Sequence, residues 1–154
     1  MTLQESEGDH DGARVLLEEV LSVRRRTLGD QHPDTLDSIT NLALLHTELG
    51  SYKVALDLSQ EVVASHRKSL GEQEITDEEV AHSIGSLAAV HNLMGNCAMA
   101  EPLHKEALAI RQRLLGPENI DTLNSMYGLG QCTLGLGRQE EGMAMLEHVA
   151  STTR

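Results

Sequence analysis

Apolar residues recur along this chain at spacings of three and four, and glycines interrupt them at regular intervals. Between positions 34 and 49, Leu36, Ile39, Leu42, Ala43, Leu45, His46 and Leu49 fall on one stripe of a helix. Between 53 and 69, Ala55, Leu58, Val62 and Val63 form a second stripe. Pro33 suits a first helical turn, Asp34 and Asp37 favour the positive end of the helix dipole, Gly50 ends the first helix and Leu70-Gly71 closes the second. The same alternation predicts a helix over 77–94, opened by a Thr76/Glu79 capping box, and another over 98–114. A helix over 120–136, capped by Asn119, and one over 139–151 follow. Ahead of them all, 12–28 reads as a helix of the second type that lacks a first-type partner, which makes about seven helices.

The glycines also set a register. Gly8, Gly50, Gly95 and Gly137 stand 42, 45 and 42 residues apart, and five residues after each comes a small one: Ala13, Ala55, Ala100 and Gly142. Leu42, Leu87 and Leu129, each eight before a glycine, are followed by Ala43, Ala88 and Gly130. The three extra residues of the middle interval are expected in a loop between Gly71 and Ala81. Small residues in facing columns let two backbones approach. One such hairpin cannot bury both of its faces, so the pairs must stack. The expected fold is all-α, a right-handed α-solenoid of stacked antiparallel helix pairs. It comprises a half repeat over 8–29 and repeats over 30–71, 72–116 and 117–154, in one domain spanning 1–154. The chain opens in mid-unit and its last helix has no polar capping helix behind it, so it is expected to be a piece of a longer array or to pack its end on another molecule.

Composition narrows the partners. The chain has no Trp or Phe, and Tyr52 and Tyr127 are its aromatic residues apart from histidine. With 24 acidic and 12 basic residues it carries a formal charge of −12, which excludes nucleic acid and an anionic membrane surface as natural partners. No apolar run approaches the ~20 residues that span a bilayer. The polar, acidic start MTLQESEGDHDG is unlike a signal peptide, so a cytoplasmic location is expected, with Cys97 and Cys132 as reduced thiols.

The stretch Asn41 to Ala55 reads N-L-A-x2-H-x3-G-x-Y-x2-A, and Leu28 to Thr35 reads L-G-x2-H-P-x-T. The first resembles the tetratricopeptide repeat. The second, with the longer period, resembles the 42-residue variety found in kinesin light chains. The likeness covers almost the whole chain, best kept in the first full unit and weakest in SMYGLGQCTLGLG, where the asparagine is lost and glycines accumulate. It implies a protein-interaction scaffold whose first-type helices line a concave groove for a partner peptide or helix. Helical spacing then puts Asp37, Thr40, Asn41, Leu44 and Glu48 on that surface. The equivalents are His82, Gly85, Ser86, Ala89 and Asn92 in the second unit, and Asn124, Tyr127, Gly128, Gln131 and Leu134 in the third. Asn41 matches an asparagine that in relatives bonds the ligand main chain, and Ser86 and Gly128 stand where its counterparts would.

No catalytic constellation emerges. His46 and His91 share a column, and His10 and His104 fall in columns that commonly hold a ring, so imidazoles are expected at helix–helix contacts. His32 belongs to the linker and reads as a turn or cap residue. The absence of H-E-x-x-H, of paired Cys-x2-Cys and of a phosphate loop leaves no metal site, no cofactor and no enzyme to expect. All twelve Lys and Arg lie in the second-type helices or at their edges, several in last turns that favour cations, and the first-type helices carry none. The groove is therefore expected to be free of Lys and Arg and to take a neutral or basic protein segment, aided by Asp37 and Glu48. Two alternatives remain: a structural module that forms homo-oligomers through its uncapped ends, and an adaptor or regulatory fragment of a larger motor or nucleotide-binding signalling protein.

Overall fold

The computed structural model describes residues 3–69 and 76–153. The described residues form seven helices and no strand: α1 Leu3–Leu28, α2 Pro33–Glu48, α3 Tyr52–Lys68, α4 Asp77–Leu93, α5 Cys97–Leu115, α6 Ile120–Gly135 and α7 Gln139–Thr152. The predicted order of first- and second-type helices holds throughout. The expected closure at Leu70-Gly71 and most of the loop assigned to the three extra residues lie outside the described residues.

One prediction fails at the start. The register casts Gly8 as the end of a turn like the other repeating glycines, with the helix beginning at position 12. Instead α1 runs through both Gly8 and Gly12 from Leu3. Gly50, Gly95 and Gly137 adopt φ of 77°, 77° and 85° because each ends a first-type helix, whereas Gly8 is not among the glycines of positive φ. A glycine ends a helix where the chain reverses, and at Gly8 the backbone continues as helix within α1.

The three reversals are copies of one motif. After α2, Gly50 N–H donates to Thr47 O and Ser51 N–H to His46 O, at 3.1 and 2.8 Å. The pairs Gly95–Asn92 and Asn96–His91 repeat this after α4, and Gly137–Leu134 and Arg138–Thr133 after α6. These two bonds satisfy carbonyls that the helix end would orphan, and they need the left-handed backbone only glycine adopts without strain. The start signals also behave as read. His32 Nδ1 accepts from Asp34 N–H, Thr76 and Glu79 form the reciprocal capping box, and Asn119 Oδ1 accepts from Asp121 N–H at 2.9 Å.

The chain divides into two compact units, Met1–Ser65 and His66–Arg154. In the first, Leu21 of α1, Leu36, Ile39 and Leu42 of α2 and Val62 of α3 form the core, flanked by Leu17 and Leu58. Ile39 is fully buried, which favours folding by about 1.5–3 kcal/mol. Ala43 and Ala55, the small residues of facing columns, are both buried. Arg25 makes two bonds to Glu61, at 2.7 and 3.0 Å, and this pair holds the guanidinium firmly protonated.

In the second unit α4 packs on α5, α5 on α6 and α6 on α7. Ala81, Ile84, Ala88, Ala100 and Ala107 have no measurable exposure. Between α6 and α7 the small columns touch: a Cβ on Gly142 would lie 3.0 Å from Gly130 O. Glycines accumulate in α6 because neighbours occupy the space of their side chains, Leu146 at Gly130 and Cys97 Sγ at Gly135. Many of the cations have partners as well: Arg67 reaches Glu106, Arg113 reaches Asp77, and Lys105 and Arg138 share Glu101. Their confinement to second-type helices thus reflects pairing, across helices for Arg67, Arg113 and Arg138 and within α5 for Lys105, in addition to the dipole.

Candidate functional site

The first-type helices α4 and α6 and the second-type helix α5 line an open cavity of about 440 Å³ in the second unit. Nine of the fifteen residues that helical spacing places on the groove line it: His82, Gly85, Ser86, Ala89 and Asn92 from α4, and Asn124, Tyr127, Gly128 and Gln131 from α6. Leu134, expected beside them, is not in the lining, because its side chain packs against Gly142 of α7. Helical periodicity explains the agreement, since α4 and α6 bury one stripe against their partners and leave the adjoining stripe open. Tyr127 is half exposed, and its hydroxyl accepts from Gln131 Nε2 at 3.1 Å, one turn on. Ser86 Oγ donates to His82 O at 3.0 Å and keeps lone pairs toward the cavity. His82 and Asn124 are exposed.

Asn92 occupies the wall in a different sense. Its Nδ2 donates to His104 Nε2 at 3.1 Å and to Gly128 O at 3.3 Å, while its Oδ1 accepts from the Cys132 thiol at 2.6 Å. Every polar atom of the amide is thereby committed inside the protein. This joins α4, α5 and α6 rather than presenting a free group to a ligand. His104, 4 % exposed, is held neutral: burial pushes its pKa down to about 4. The ring lies directly against Gly128, where a Cβ would stand 2.9 Å from Nδ1. That contact accounts for the lost asparagine of the third unit, because the imidazole fills the space a side chain at 128 would need.

The five candidates of the first unit are on α2. Asp37, Asn41 and Leu44 are exposed, and Thr40 is half-buried with its hydroxyl on Leu36 O at 2.9 Å. Glu48 is exposed too, but it falls one position off the register, for Thr47 stands three before Gly50 as Asn92 stands three before Gly95.

The expectation of a groove without Lys or Arg is corrected. Arg111, from the last turns of α5, reaches the cavity although α4 and α6 contain no cation. Its guanidinium, 7 % exposed, donates to Ser125 Oγ at 2.9 Å and Asp121 O at 3.3 Å, and lies 3.4 Å from Glu78. A long side chain on the second-type helix can pass beneath the next first-type helix, which counting charges helix by helix does not reveal. The same clasp recurs. Arg24 donates to Ser38 Oγ at 2.7 Å and Asp34 O at 2.9 Å, and His66 Nδ1 lies 3.0 Å from Ser83 Oγ. The sequence carries a signal for it: Arg24, His66 and Arg111 each stand sixteen after a register glycine, and Ser38, Ser83 and Ser125 each stand twelve before one. Two polar columns inside an otherwise apolar packing pattern mark a contact between repeats.

Among the described residues no cluster of three or more His, Cys, Asp or Glu could hold a metal ion, and no helix is long and apolar enough to cross a membrane. A family model described as tetratricopeptide repeat matches residues 1–68 and 79–152. No curated protein matches the sequence significantly. Among solved structures, a Podosopora anserina protein described as a putative kinesin light chain with nearly identical TPR-like repeats superposes with a TM-score of 0.77 at 26 % identity, over 97 % of this chain and 69 % of that one. A single-substitution form of that protein gives 0.79 at 26 % identity, over 96 % and 68 %. BtubC (BKLC) from P. vanneervenii shares the fold, with a TM-score of 0.80 at 21 % identity, over 95 % of this chain and 57 % of that one.

Proposed function

The chain belongs to the tetratricopeptide repeat family, and from that premise we propose that it is a non-enzymatic scaffold that grips an extended, neutral or basic protein segment in the cavity between α4 and α6. The observation that carries this reading is the lining itself. Tyr127 supplies an exposed aromatic anchor, and Asn124, Ser86, Gln131 and His82 supply hydrogen-bonding groups around it. Asn92, His104 and Gly128 form the wall behind them. On α2, Asp37, Asn41 and Leu44, with Thr40 beside them, offer the corresponding face of the first unit.

Charge argues for the ligand class. Arg111 is paired with Glu78 through Nε, and its Nη1 is engaged by Ser125 and Asp121, which weakens its pull on a ligand carboxylate. Glu78 and the exposed Asp121 leave the surroundings slightly acidic, in a chain of net charge −12. A peptide array probed with the purified chain tests this. Neutral and basic peptides should be retained and then lost on Tyr127→Ala, and strongest retention of acidic peptides would refute the assignment.

A second reading, self-association, is favoured by α1, where Leu16 is 63 % exposed and Val15, Val20 and Val23 are also exposed. Sedimentation over a concentration series separates the two. A monomer that still binds peptide supports the scaffold alone, and growing oligomers suppressed by Leu16→Glu support association.

A further inference from the structure

Two thiols meet behind the cavity wall. Cys97 opens α5 and is half-buried, while Cys132 lies in the last turn of α6 with no exposure. Cys97 Sγ occupies the place a Cβ on Gly135 would take. Gly135 is one turn beyond Cys132 on the same face of α6, and Cβ positions so related are about 5–6 Å apart. The Cys97 sulfur therefore stands against the face of α6 that carries Cys132 one turn earlier. Burial pushes the Cys132 thiol up to about 11, so it keeps its proton and donates it to Asn92 Oδ1.

We propose that Cys97 and Cys132 form an oxidisable dithiol site in which a peroxide converts the pair to an intramolecular disulfide and releases Asn92 from its thiol partner. Cys97, the thiol that solvent can reach, reacts first. Its sulfur attacks a peroxide oxygen, the O–O bond breaks, and the other oxygen leaves as water or an alcohol, giving a sulfenic acid on Cys97. The Cys132 sulfur then attacks the Cys97 sulfur. The S–S bond forms, the S–O bond breaks, and hydroxide leaves with the Cys132 proton as water. The two thiols together give up two electrons to the peroxide, and a dithiol reductant reverses the change.

Oxidation reaches the groove through a single atom. A disulfide has no S–H, so Asn92 Oδ1 loses its donor whatever movement accompanies the bond. The same amide holds His104 Nε2 and Gly128 O. Freed on one side, it can turn toward the cavity and change how the wall meets a bound segment. The effect on a ligand rests on the groove reading above, whereas the disulfide does not.

Mass spectrometry of the full chain tests the chemistry. With the chain reduced, Cys97 should alkylate at least about tenfold faster than Cys132. After hydrogen peroxide, the intact chain should lose two hydrogens, resist alkylation and yield a linked peptide pair containing both cysteines. Cys97→Ser should abolish the reaction, and Cys132→Ser should stop it at a sulfenic acid that dimedone traps. Equal alkylation rates, a disulfide between two chains as the sole product, or unchanged oxidation of Cys97→Ser would overturn the proposal. The Asn92 side-chain amide resonance should shift on oxidation of the native chain and stay still in Cys97→Ser; a resonance that never moves would overturn the link to the groove. These readouts need no ligand, so a failure of the peptide array leaves them to decide the dithiol site alone.

Discussion

Gly128 and His104 illustrate how one contact can invert a general preference. Replacing a helix-interior glycine by alanine ordinarily stabilises by about 0.5–1 kcal/mol. At Gly85 the nearest atoms to an added Cβ are 3.7 and 4.0 Å away, so Gly85→Ala should raise the unfolding midpoint in denaturant. At Gly128 the same methyl would enter the imidazole, and Gly128→Ala should cost about 1–3 kcal/mol, with partial recovery in the Gly128→Ala/His104→Ala double variant. His104 also makes stability depend on pH. Its folded pKa of about 4 lies below the ordinary value of 6.5, so the unfolded chain binds the extra proton first. Stability from this group is complete above about pH 6.5, falls as the pH drops toward 4, and levels off below; the loss is roughly 3 kcal/mol. His91 adds to it in the same direction through its own burial. Denaturant titrations at several pH values should show a shallower dependence in His104→Gln. The sequence marks these histidines as ring substitutes at helix contacts, and His46, His91 and His104 are all buried. It does not reveal that His104 is the reason residue 128 has no side chain, because that depends on which ring faces which backbone.

Among the elements, the helix ends are the most legible in the sequence, since a cap is a local event between residues two or three apart. Thr76→Ala should remove the capping box and cost about 1 kcal/mol, measured by chemical unfolding. The start of α1 departs from the pattern because the backbone does not reverse at Gly8, which lies inside the helix with a helical, not left-handed, conformation. The clasp between repeats escapes a helix-by-helix reading because its partners are fourteen or seventeen residues apart and belong to helices of different type. Arg111→Met should cost roughly 2–4 kcal/mol, because it leaves Glu78 unpaired and removes two bonds to α6. Arg24→Met should cost less, as Arg24 is only half-buried. Equal losses at the two positions, read from unfolding midpoints, would show that burial does not set the strength of this contact.

At the scale of the molecule, repetition explains most of what the sequence makes readable. A period of 42 with small residues in facing columns specifies helix pairs, and the described residues carry them in the predicted order. Nine of the fifteen candidate residues surround one cavity because helical spacing alone dictates which stripe stays open. What the pattern does not expose is the interior wiring: spacing offers Asn92 as a ligand contact, yet its amide binds three internal partners. Charge counting likewise places every cation outside the groove, and Arg111 crosses into it already paired. Both findings leave Tyr127, Asn124 and the neighbouring polar groups as the surface offered to a partner. Calorimetric titration of the full chain with two extended peptides tests that claim most directly, the pair alike except that one carries lysines where the other carries glutamates. The basic peptide should bind at least about tenfold more tightly, a difference of about 1.4 kcal/mol, and Tyr127→Ala should abolish most of that binding. Tighter binding of the acidic peptide, or affinity untouched by Tyr127→Ala, would contradict the account.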